Sequence, residues 1–389
     1  MLVVGGGSAG ATLVARLRRA RPGLELALLE PSADHYYQPL WTLVGGGVVR
    51  KEKSRREQRA VIPRGVVWLQ DAAAAFLPEE DTVVTVSGER VGYDALVVCP
   101  GIQLDWERVA GLPEALGRDG VCSIYSYAQA DLVWEQIRAF RGGTAVFTFP
   151  ATPIKCPGAA QKIMYLADDA FRRAGVRERA RIVFVSAASR IFAVDRYART
   201  LERVVARKGI ETLFRHELLA VRPGAREALV RNLDSGAEQT IPYELLHAVP
   251  PQSAPDVAKE SPLAGPGGWV EVDRATLQHV RYPNVFSLGD ASSLPTSKTA
   301  AAIRAQAPVA AANLLAFLDG RPLRAAYDGY TACPLVTGYG RLVLAEFDYD
   351  CTPRESFPFD QSKERWSMYQ LKRHGLPLLY WRGMLRGRA

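Results

Sequence analysis

The sequence predicts an α/β fold with two parallel-sheet units and a separate C-terminal region. The first observation is an apolar strand, LVV, which runs into a glycine-rich turn and then a helical pattern at the start of the chain. The second is a further strand, turn and helix that begins at Ala145. The third is the length of 389 residues, with 48% hydrophobic and 23% charged residues, which exceeds one compact core and argues against wholesale disorder.

Composition also limits the surroundings of the chain. No stretch approaches about 18 uninterrupted apolar residues, so we expect no spanning helix and at most peripheral attachment to a membrane. The net charge of +8 is compatible with an anionic membrane surface or with solvation alone, and nothing resembles a nucleic-acid module. The strand-like start predicts no signal or transit peptide, and a processed or truncated start is the alternative.

The cysteines suit neither a zinc site nor a dense disulfide framework. They are widely spaced and form no CxxC pair: Cys99, Cys122, Cys156, Cys333 and Cys351. Buried thiols and a catalytic pair brought together by the fold are the two remaining interpretations.

The first unit carries the pattern of an adenine dinucleotide site. Gly5, Gly7 and Gly10 fit GxGxxG between a strand and a helix, and Glu30 ends the second apolar run, LELALLE. The first glycine allows a tight turn, the second admits the pyrophosphate, and the third lets helix and strand approach closely. The helix N-terminus would face the phosphates, and an acid at position 30 favours FAD or NAD over a 2'-phosphorylated cofactor.

A second segment favours FAD. In YPNVFSLGDASSLPTSKTAAAIRAQA, Gly289 and Asp290 end an apolar strand and precede an alanine-rich helix. This resembles the second FAD motif of flavoproteins with two dinucleotide domains, in which the aspartate binds the ribityl chain. YDALVVCPG resembles the strand and turn where the chain leaves the first domain in those proteins. The alternative for Asp290 is simple capping of the following helix.

The middle unit lacks a second glycine fingerprint. In relatives that use pyridine nucleotides GxGxxG opens the inserted domain, whereas this chain reads FTFPATPIKCPG at that place. Pro150, Pro153 and Pro157 fix the backbone and remove donors, so the turn is poorly suited to a pyrophosphate. Cys156 lies in this turn, and we therefore expect electrons to enter through a thiol and not from NADH. Lys155 beside it either stabilises a thiolate or is simply solvated.

Four separated segments resemble the animal and bacterial class of sulfide:quinone oxidoreductases. They are FTFPATPIKCPGAAQKIMYL, LPTSKTAAA, YDGYTACPLVTGYGRLVLAEFDYD and FPFDQSKERWSMYQLK, and the similarity extends over essentially the whole chain. The resemblance implies a fold of the flavoprotein disulfide reductase type with two Rossmann-like domains. It implies a split FAD domain (1–110 and 270–325), a second domain without an NAD(P) fingerprint (111–269), and a quinone and membrane side region (326–389).

The resemblance also implies roles for matching positions. Cys156 and Cys333 match the two redox cysteines of the family, which form a bridge in the resting enzyme and carry sulfane sulfur during turnover. Cys333 would face the flavin, and Cys156 would carry the persulfide. The positions on motifs that contact FAD are Gly5, Gly7, Gly10, Glu30, Gln38, Gly289, Asp290 and Lys298, with Lys363 near the flavin and quinone region.

The implied activity is oxidation of sulfide through a Cys156–Cys333 disulfide, with two electrons passing through FAD to a membrane quinone. HS⁻ is a good nucleophile that opens disulfides by ordinary exchange. Glutathione, sulfite, coenzyme A, cyanide and a second sulfide all stay open as acceptors of the sulfane sulfur.

The C-terminal stretch suits a membrane interface. LKRHGLPLLYWRGMLRGRA combines leucine and aromatic residues with lysine and arginine, and a helix packed on a domain is the alternative. We expect a peripheral protein of a bacterial cell membrane, or of the mitochondrial inner membrane if a transit peptide is missing from this chain.

Three other functions fit the same residues less well. An NADH:quinone oxidoreductase needs the second glycine fingerprint that the chain lacks. A sulfide dehydrogenase subunit would have a cytochrome partner in place of a membrane-binding end. A flavin-stabilised binding or redox-sensing protein does not need both the cysteine pair and the quinone-side motifs.

Some residues depart from the family pattern or fall outside it. Val14 lies where many relatives have alanine or glycine, and we expect it to alter helix packing without abolishing FAD binding. Cys122, in DGVCSIY, resembles a third cysteine of another bacterial class but is better explained as an ordinary residue. Cys99 is better explained as core, and His247 as structural.

Overall fold

Two five-stranded parallel sheets form the framework of the computed structural model, which describes all 389 residues. The first sheet has the spatial order Val285–Ser287, Leu96–Val98, Leu2–Val4, Leu26–Leu29 and Val66–Leu69. The second has the order Val121–Cys122, Leu245–His247, Gly143–Phe149, Ala180–Ser186 and Glu211–Phe214. The short strands at the centre of the first sheet are buried on both faces, as an all-parallel sheet requires. The predicted α/β fold is confirmed.

The first 110 residues build most of the first sheet around the glycine turn. Their helices are α1 (Ser8–Ala20), α2 (Trp41–Gly45) and α3 (Gln58–Val61). Their strands are β1 (Leu2–Val4), β2 (Leu26–Leu29), β3 (Asp34–Tyr36), β4 (Arg55–Glu57), β5 (Val66–Leu69), β6 (Ala73–Leu77), β7 (Thr82–Thr85), β8 (Arg90–Gly92), β9 (Leu96–Val98) and β10 (Gln103–Leu104). Strands β6 to β8 pair antiparallel as a small separate layer. Val14 is fully buried on α1, so its side chain is part of the core.

The middle of the chain builds the second sheet. Its helices are α4 (Leu112–Ala115), α5 (Ala130–Ala139), α6 (Ala159–Arg173), α7 (Asp195–Lys208) and α8 (Asp256–Lys259). Its strands are β11 (Val121–Cys122), β12 (Gly143–Phe149), β13 (Ala180–Ser186), β14 (Glu211–Phe214), β15 (His216–Arg222), β16 (Glu227–Asn232), β17 (Glu238–Pro242), β18 (Leu245–His247) and β19 (Gln252–Ser253). Helix α6 follows the cysteine turn and is buried along nearly its whole length, so the turn is held by a core helix.

The chain then returns to the first sheet and ends in a helical segment. The remaining elements are β20 (Val285–Ser287), α9 (Ala300–Leu318), β21 (Thr331–Gly338), β22 (Arg341–Phe347), α10 (Trp366–Gln370) and α11 (Leu376–Leu378). From residue 366 to residue 386, α, π and 3-10 turns follow one another without a break. We call residues 371–386 the C-terminal strap.

Helix α9 is long and apolar enough to cross a membrane by length and composition alone. Half of it is buried within the fold. The Gln306 side chain accepts a hydrogen bond from the Gly289 N–H, and the Asn313 amide donates to the Thr276 carbonyl oxygen. These buried polar contacts make α9 a core helix of the first unit.

The β21–β22 hairpin lies between the two hydrophobic cores. Successive residues of a strand point to opposite faces. Leu342 and Leu344 therefore pack into the core of the first unit, whereas Val343 and Ala345 pack into that of the second. Cys333 points toward the second core and thus toward α6.

The strand order supports the predicted division of the chain into domains. Strand β20 pairs with β9 across the whole inserted unit, and the Ser287 hydroxyl donates to the Val98 carbonyl oxygen at 2.6 Å. We propose the same bounds for the folded protein: 1–110 with 270–325, then 111–269, then 326–389.

Candidate active site

The glycine turn after β1 has the geometry that a dinucleotide site needs. Gly5 has a φ of +99°, and a Cβ there would lie 2.3 Å from the Cys99 carbonyl oxygen. A Cβ on Gly10 would lie 1.9 Å from the Gly5 carbonyl oxygen, so helix and strand meet only because the residue is glycine. A Cβ on Gly7 would meet nothing within 4 Å. The turn is closed behind Gly5 and Gly10 and open at Gly7, where a phosphate would approach.

Glu30 lies beside this turn at the end of β2. Its carboxylate accepts hydrogen bonds from the backbone N–H groups of Gly6, at 2.6 Å, and Ser32, at 2.8 Å. Burial raises the pKa of Glu30, and these two hydrogen bonds oppose that shift. The residue lines a cavity, where its carboxylate would accept hydrogen bonds from the ribose hydroxyls of a bound dinucleotide.

Asp290 enters the same cavity from the other side. Helix α9 is capped by Thr299, whose side chain accepts from the Ala302 N–H, so capping does not explain Asp290. Burial raises the pKa of Asp290, and the Lys298 ammonium opposes this. That ammonium donates to the Asp290 carbonyl oxygen at 2.5 Å and lies 3.6 Å from the centre of the Trp269 ring. Burial lowers the pKa of Lys298 to about 8, against the pull of Asp290.

One cavity of 520 Å³ connects these groups. Of the predicted cofactor residues, it is lined by Gly7, Glu30, Gln38, Asp290 and Lys298. Gly5, Gly10 and Gly289 lie behind it as backbone turns, and the φ of Gly289 is +75°. An open glycine turn at one end, a ribose acceptor and a buried aspartate fit FAD.

Lys363 does not reach the cavity. Its side chain is 72% exposed, and its ammonium lies 3.9 Å from a carboxylate oxygen of Asp360. The expectation that it lies near the flavin region is not met, because the Lys363 side chain points to solvent. Ser356 and Phe357, from the same loop region, line the cavity instead.

Cys156 and Cys333 are brought together at this cavity as free thiols, and each shifts the pKa of the other. Cys156 has a φ of +46°, and its N–H donates to the Lys298 carbonyl oxygen at 2.8 Å, which links the cysteine turn to the FAD side. Cys156 lines the cavity, whereas Cys333 is buried and does not line it, so the expectation that Cys333 faces the flavin gains no support from the cavity. A Cβ on Gly158 would lie 2.4 Å from the Cys333 sulfur, so only glycine lets that sulfur pack against the start of α6.

The surroundings favour a thiolate at Cys156. The hydrogen bond from Cys333 holds the pKa of Cys156 well below its usual value, and the Lys162 ammonium adds to this against the cost of burial. Lys162 donates to the Cys156 sulfur at 3.2 Å. The same hydrogen bond, together with burial, raises the pKa of Cys333 well above its usual value. These shifts favour ionisation of Cys156, the more accessible thiol, over ionisation of Cys333.

Three further lysines surround the cavity. Burial lowers the pKa of Lys372 to about 7, helped by the Lys162 charge, although the thiols oppose this. Lys155 lines the cavity 5.3 Å from the centre of the Trp41 ring, and burial lowers its pKa to about 8. With Lys298 these side chains bring cationic groups to the cavity, which the carboxylates of Glu30, Asp290 and Glu346 also line.

Sequence reasoning missed Lys162 and Lys372. Lys162 follows Gly158 at a spacing of four residues, which places both on one face of α6, so helical periodicity could have indicated it. Lys372 belongs to the C-terminal strap and donates to the Pro39 carbonyl oxygen at 3.0 Å. No local pattern predicts that contact.

The other singled-out residues lie away from the chemistry. Cys99 and Cys122 are buried, and burial raises the pKa of Cys122 to about 12, so both are plain core thiols in this fold. Cys351 is exposed in the turn after β22. His247 is buried, and its Nε2 accepts from the Ile124 N–H at 3.1 Å, a structural contact.

Two relatives and one solved structure match the chain over its whole length. No protein-family model matches the chain. The mitochondrial sulfide:quinone oxidoreductase of Mus musculus is 48% identical over 389 residues, which cover 100% of this chain and 86% of the mouse protein. The mitochondrial sulfide:quinone oxidoreductase of Dictyostelium discoideum is 44% identical over 391 residues, with the same coverage of 100% and 86%. The X-ray structure of the sulfide:quinone oxidoreductase from Aquifex aeolicus has the same fold, with a TM-score of 0.85 at 19% identity over 100% of this chain and 91% of that one.

Proposed function

The chain belongs to the sulfide:quinone oxidoreductase family, and we propose that it oxidises sulfide at the Cys156–Cys333 pair beside FAD, with a membrane quinone as electron acceptor. One observation carries the proposal. Cys156, with Lys162 as its ammonium partner, lies in the turn where a nicotinamide-binding fingerprint would otherwise be, at the edge of the 520 Å³ cavity, and Cys333 is brought to it by β21.

The first step is the opening of a disulfide. We propose that the two thiols are bridged in the resting enzyme and that HS⁻ attacks the Cys156 sulfur, because Cys156 lines the cavity and Cys333 is buried behind it. A bond forms between the sulfide sulfur and Cys156, and the Cys156–Cys333 bond breaks. Its electron pair stays on Cys333 as a thiolate, while Cys156 carries the persulfide.

The second step restores the bridge. A nucleophilic acceptor bonds to the outer sulfur of the persulfide and leaves a thiolate on Cys156. The two thiolates then close the disulfide and give up two electrons. FAD, when bound, supplies the two-electron acceptor that quinone reoxidises. Lys162 stabilises each thiolate as it forms, since its ammonium donates to the Cys156 sulfur and its charge also favours the thiolate of Cys333.

Residues of both units would hold FAD. The N-terminus of α1 and the open face at Gly7 would receive the pyrophosphate, and Glu30 the ribose hydroxyls. Asp290 would meet the ribityl chain, and Lys298 keeps a positive charge beside it.

For the acceptor of the sulfane sulfur we propose a chemical class, a small anionic nucleophile. Four lysines line the cavity: Lys155, Lys162, Lys298 and Lys372. Their ammonium groups favour a small anionic nucleophile such as sulfite, a thiolate or a second HS⁻. This preference is tested by steady-state rates at equal acceptor concentration. Sulfite, sulfide and thiols that carry a further negative charge are compared with thiols that carry no other charge.

We also propose that the end of the chain rests on a quinone-containing membrane. Trp366 is 68% and Leu378 is 53% exposed, whereas Tyr380 and Trp381 are buried against the first unit. Arg382 is exposed on the same segment. These exposures support the proposal, because one face of the segment packs on the fold while the other carries apolar and cationic groups of the kind that bind at a membrane interface.

Anaerobic stopped-flow absorbance of the FAD-loaded protein tests the function. Sulfide is expected to bleach the flavin, and a short-chain ubiquinone to restore its colour. NADH is expected to leave the spectrum unchanged. Bleaching by NADH but not by sulfide would show that electrons do not enter through the cysteines.

A further inference from the structure

The C-terminal strap forms one wall of the cavity. It contributes a row of lining residues that faces the glycine turn: Leu371, Lys372, Leu376, Leu379, Tyr380 and Met384. Gly7 and Ser8 line the same cavity, and the Ser8 hydroxyl lies 2.8 Å from the Tyr380 hydroxyl. A dinucleotide bound at the N-terminus of α1 would therefore lie under the strap.

Tyr380 ties the strap to that turn. Its hydroxyl lies 2.6 Å from His35 Nε2 and 2.8 Å from the Ser8 hydroxyl, and the two partners belong to the first unit. Its ring packs on Tyr37 with 4.4 Å between the ring centres, and the residue is 1% exposed. The end of the chain is thus bonded to its beginning, 372 residues away.

The directions of these hydrogen bonds follow from their partners. His35 Nδ1 faces two acceptors at 3.1 Å, the Gly6 carbonyl oxygen and Gln58 Oε1, so Nδ1 carries a proton. Burial lowers the pKa of His35 to about 4, which keeps the ring neutral and leaves Nε2 as an acceptor. The Tyr380 hydroxyl therefore donates to His35, and its oxygen accepts from Ser8.

The other end of this network is the glycine turn itself. Gly6 donates its N–H to Glu30 and accepts hydrogen bonds at its carbonyl oxygen from both His35 and Gln58. One hydrogen-bond network therefore connects the strap, through Tyr380 and His35, to the glycine turn at Gly6.

We propose that Tyr380 is a latch that closes the C-terminal strap over FAD, so that FAD leaves only when the strap opens. This rests on FAD binding in the cavity, as in the proposed function, and makes Tyr380 a positioning residue with no part in the sulfur chemistry. The strap also has other contacts with the first unit, such as the Arg56 guanidinium 4.2 Å from the centre of the Trp381 ring, so loss of the hydroxyl is expected to make opening more frequent without unfolding the segment.

The test is the rate of FAD release from the holoprotein. FAD fluorescence after dilution is followed for the wild type, Tyr380→Phe and Tyr369→Phe, without sulfide or quinone. Tyr369 is a matched control, because it is a buried tyrosine of the same C-terminal region whose hydroxyl makes no hydrogen bond within the chain. Loss of two hydrogen bonds is expected to speed release about tenfold or more for Tyr380→Phe and to leave Tyr369→Phe unchanged.

Hydrogen exchange gives a second readout on the same proteins. Backbone amides of residues 376–386 are expected to exchange faster in Tyr380→Phe than in the wild type, while amides of β12 and β13 stay protected. Equal FAD release from Tyr380→Phe and the wild type would overturn the latch, and so would equal acceleration in both variants. Neither result depends on sulfide oxidation, so failure of the latch and failure of the proposed function are distinguishable.

Discussion

The Lys162 ammonium lies 3.2 Å from the Cys156 sulfur, in the first turn of the helix that follows the cysteine. Helix α6 thus supplies a charge to the thiol that precedes it. Since the lysine is buried, little solvent screens this interaction. The charge favours the thiolate of Cys156 and, after sulfide attack, the thiolate of Cys333.

Replacing Lys162 by methionine is expected to raise the pKa of Cys156. The reactive thiolate would then be scarcer at neutral pH and would recover only at higher pH, so alkylation at pH 7 should slow about tenfold or more. Iodoacetamide labelling of Cys156 in the reduced protein, followed by peptide mass spectrometry across pH, measures this shift. Lys53→Met, at an exposed lysine, is the control. An unchanged pH midpoint of labelling in Lys162→Met would show that Lys162 does not lower the pKa of Cys156.

Replacing Gly158 by alanine is expected to separate the two sulfurs. Gly158 has a helical backbone, so alanine is not strained there, but its Cβ would meet the Cys333 sulfur at 2.4 Å. We expect slower closure of the disulfide and a loss of about 1 to 3 kcal/mol in the free energy of unfolding. Thiol titration after mild oxidation and urea unfolding measure the two effects. Gly23→Ala, where a Cβ meets nothing within 4 Å, is the control, and closure at the wild-type rate in Gly158→Ala would contradict the packing argument.

Charged residues on the exposed face of the C-terminal region are expected to weaken membrane binding. Removing the apolar contact of Trp366 and Leu378 with lipid should lower vesicle affinity by about tenfold or more. Sedimentation of Trp366→Glu/Leu378→Glu with anionic phospholipid vesicles tests this. The control is Val86→Glu, which replaces an apolar residue that is as exposed as Trp366 but lies outside the C-terminal region. It should bind vesicles like the wild type. Truncation is unsuitable, because Tyr380 and Trp381 are part of the core of the first unit.

Local sequence patterns predicted the parts of the site that one segment builds alone. The glycine turn and Glu30 sit within one strand, helix and strand, so their spacing determines their geometry. Gly289 and Asp290 were likewise placed by the strand before them and the helix after them. The proline-rich turn lacks a glycine fingerprint and contains Cys156, and this led to the prediction that electrons enter through a thiol there and not from NADH.

Contacts between distant segments could not be predicted in the same way. Tyr380 meets His35 and Ser8, and Lys372 meets the cysteine pair, only through tertiary packing. Lys363 shows the converse, since its neighbours in sequence line the cavity while its own side chain faces solvent. A family motif gives the segment, but the fold determines which of its side chains points inward.

The most direct test of the central claim is anaerobic stopped-flow reduction of the flavin by sulfide in the wild type, Cys156→Ser and Cys333→Ser. Serine keeps the size of each side chain but cannot form the disulfide or a persulfide. We predict rapid bleaching in the wild type and a loss of at least about a hundredfold in rate in each variant, with FAD content unchanged. Bleaching at the wild-type rate in both variants would contradict the assignment of the cysteine pair as the entry point for electrons.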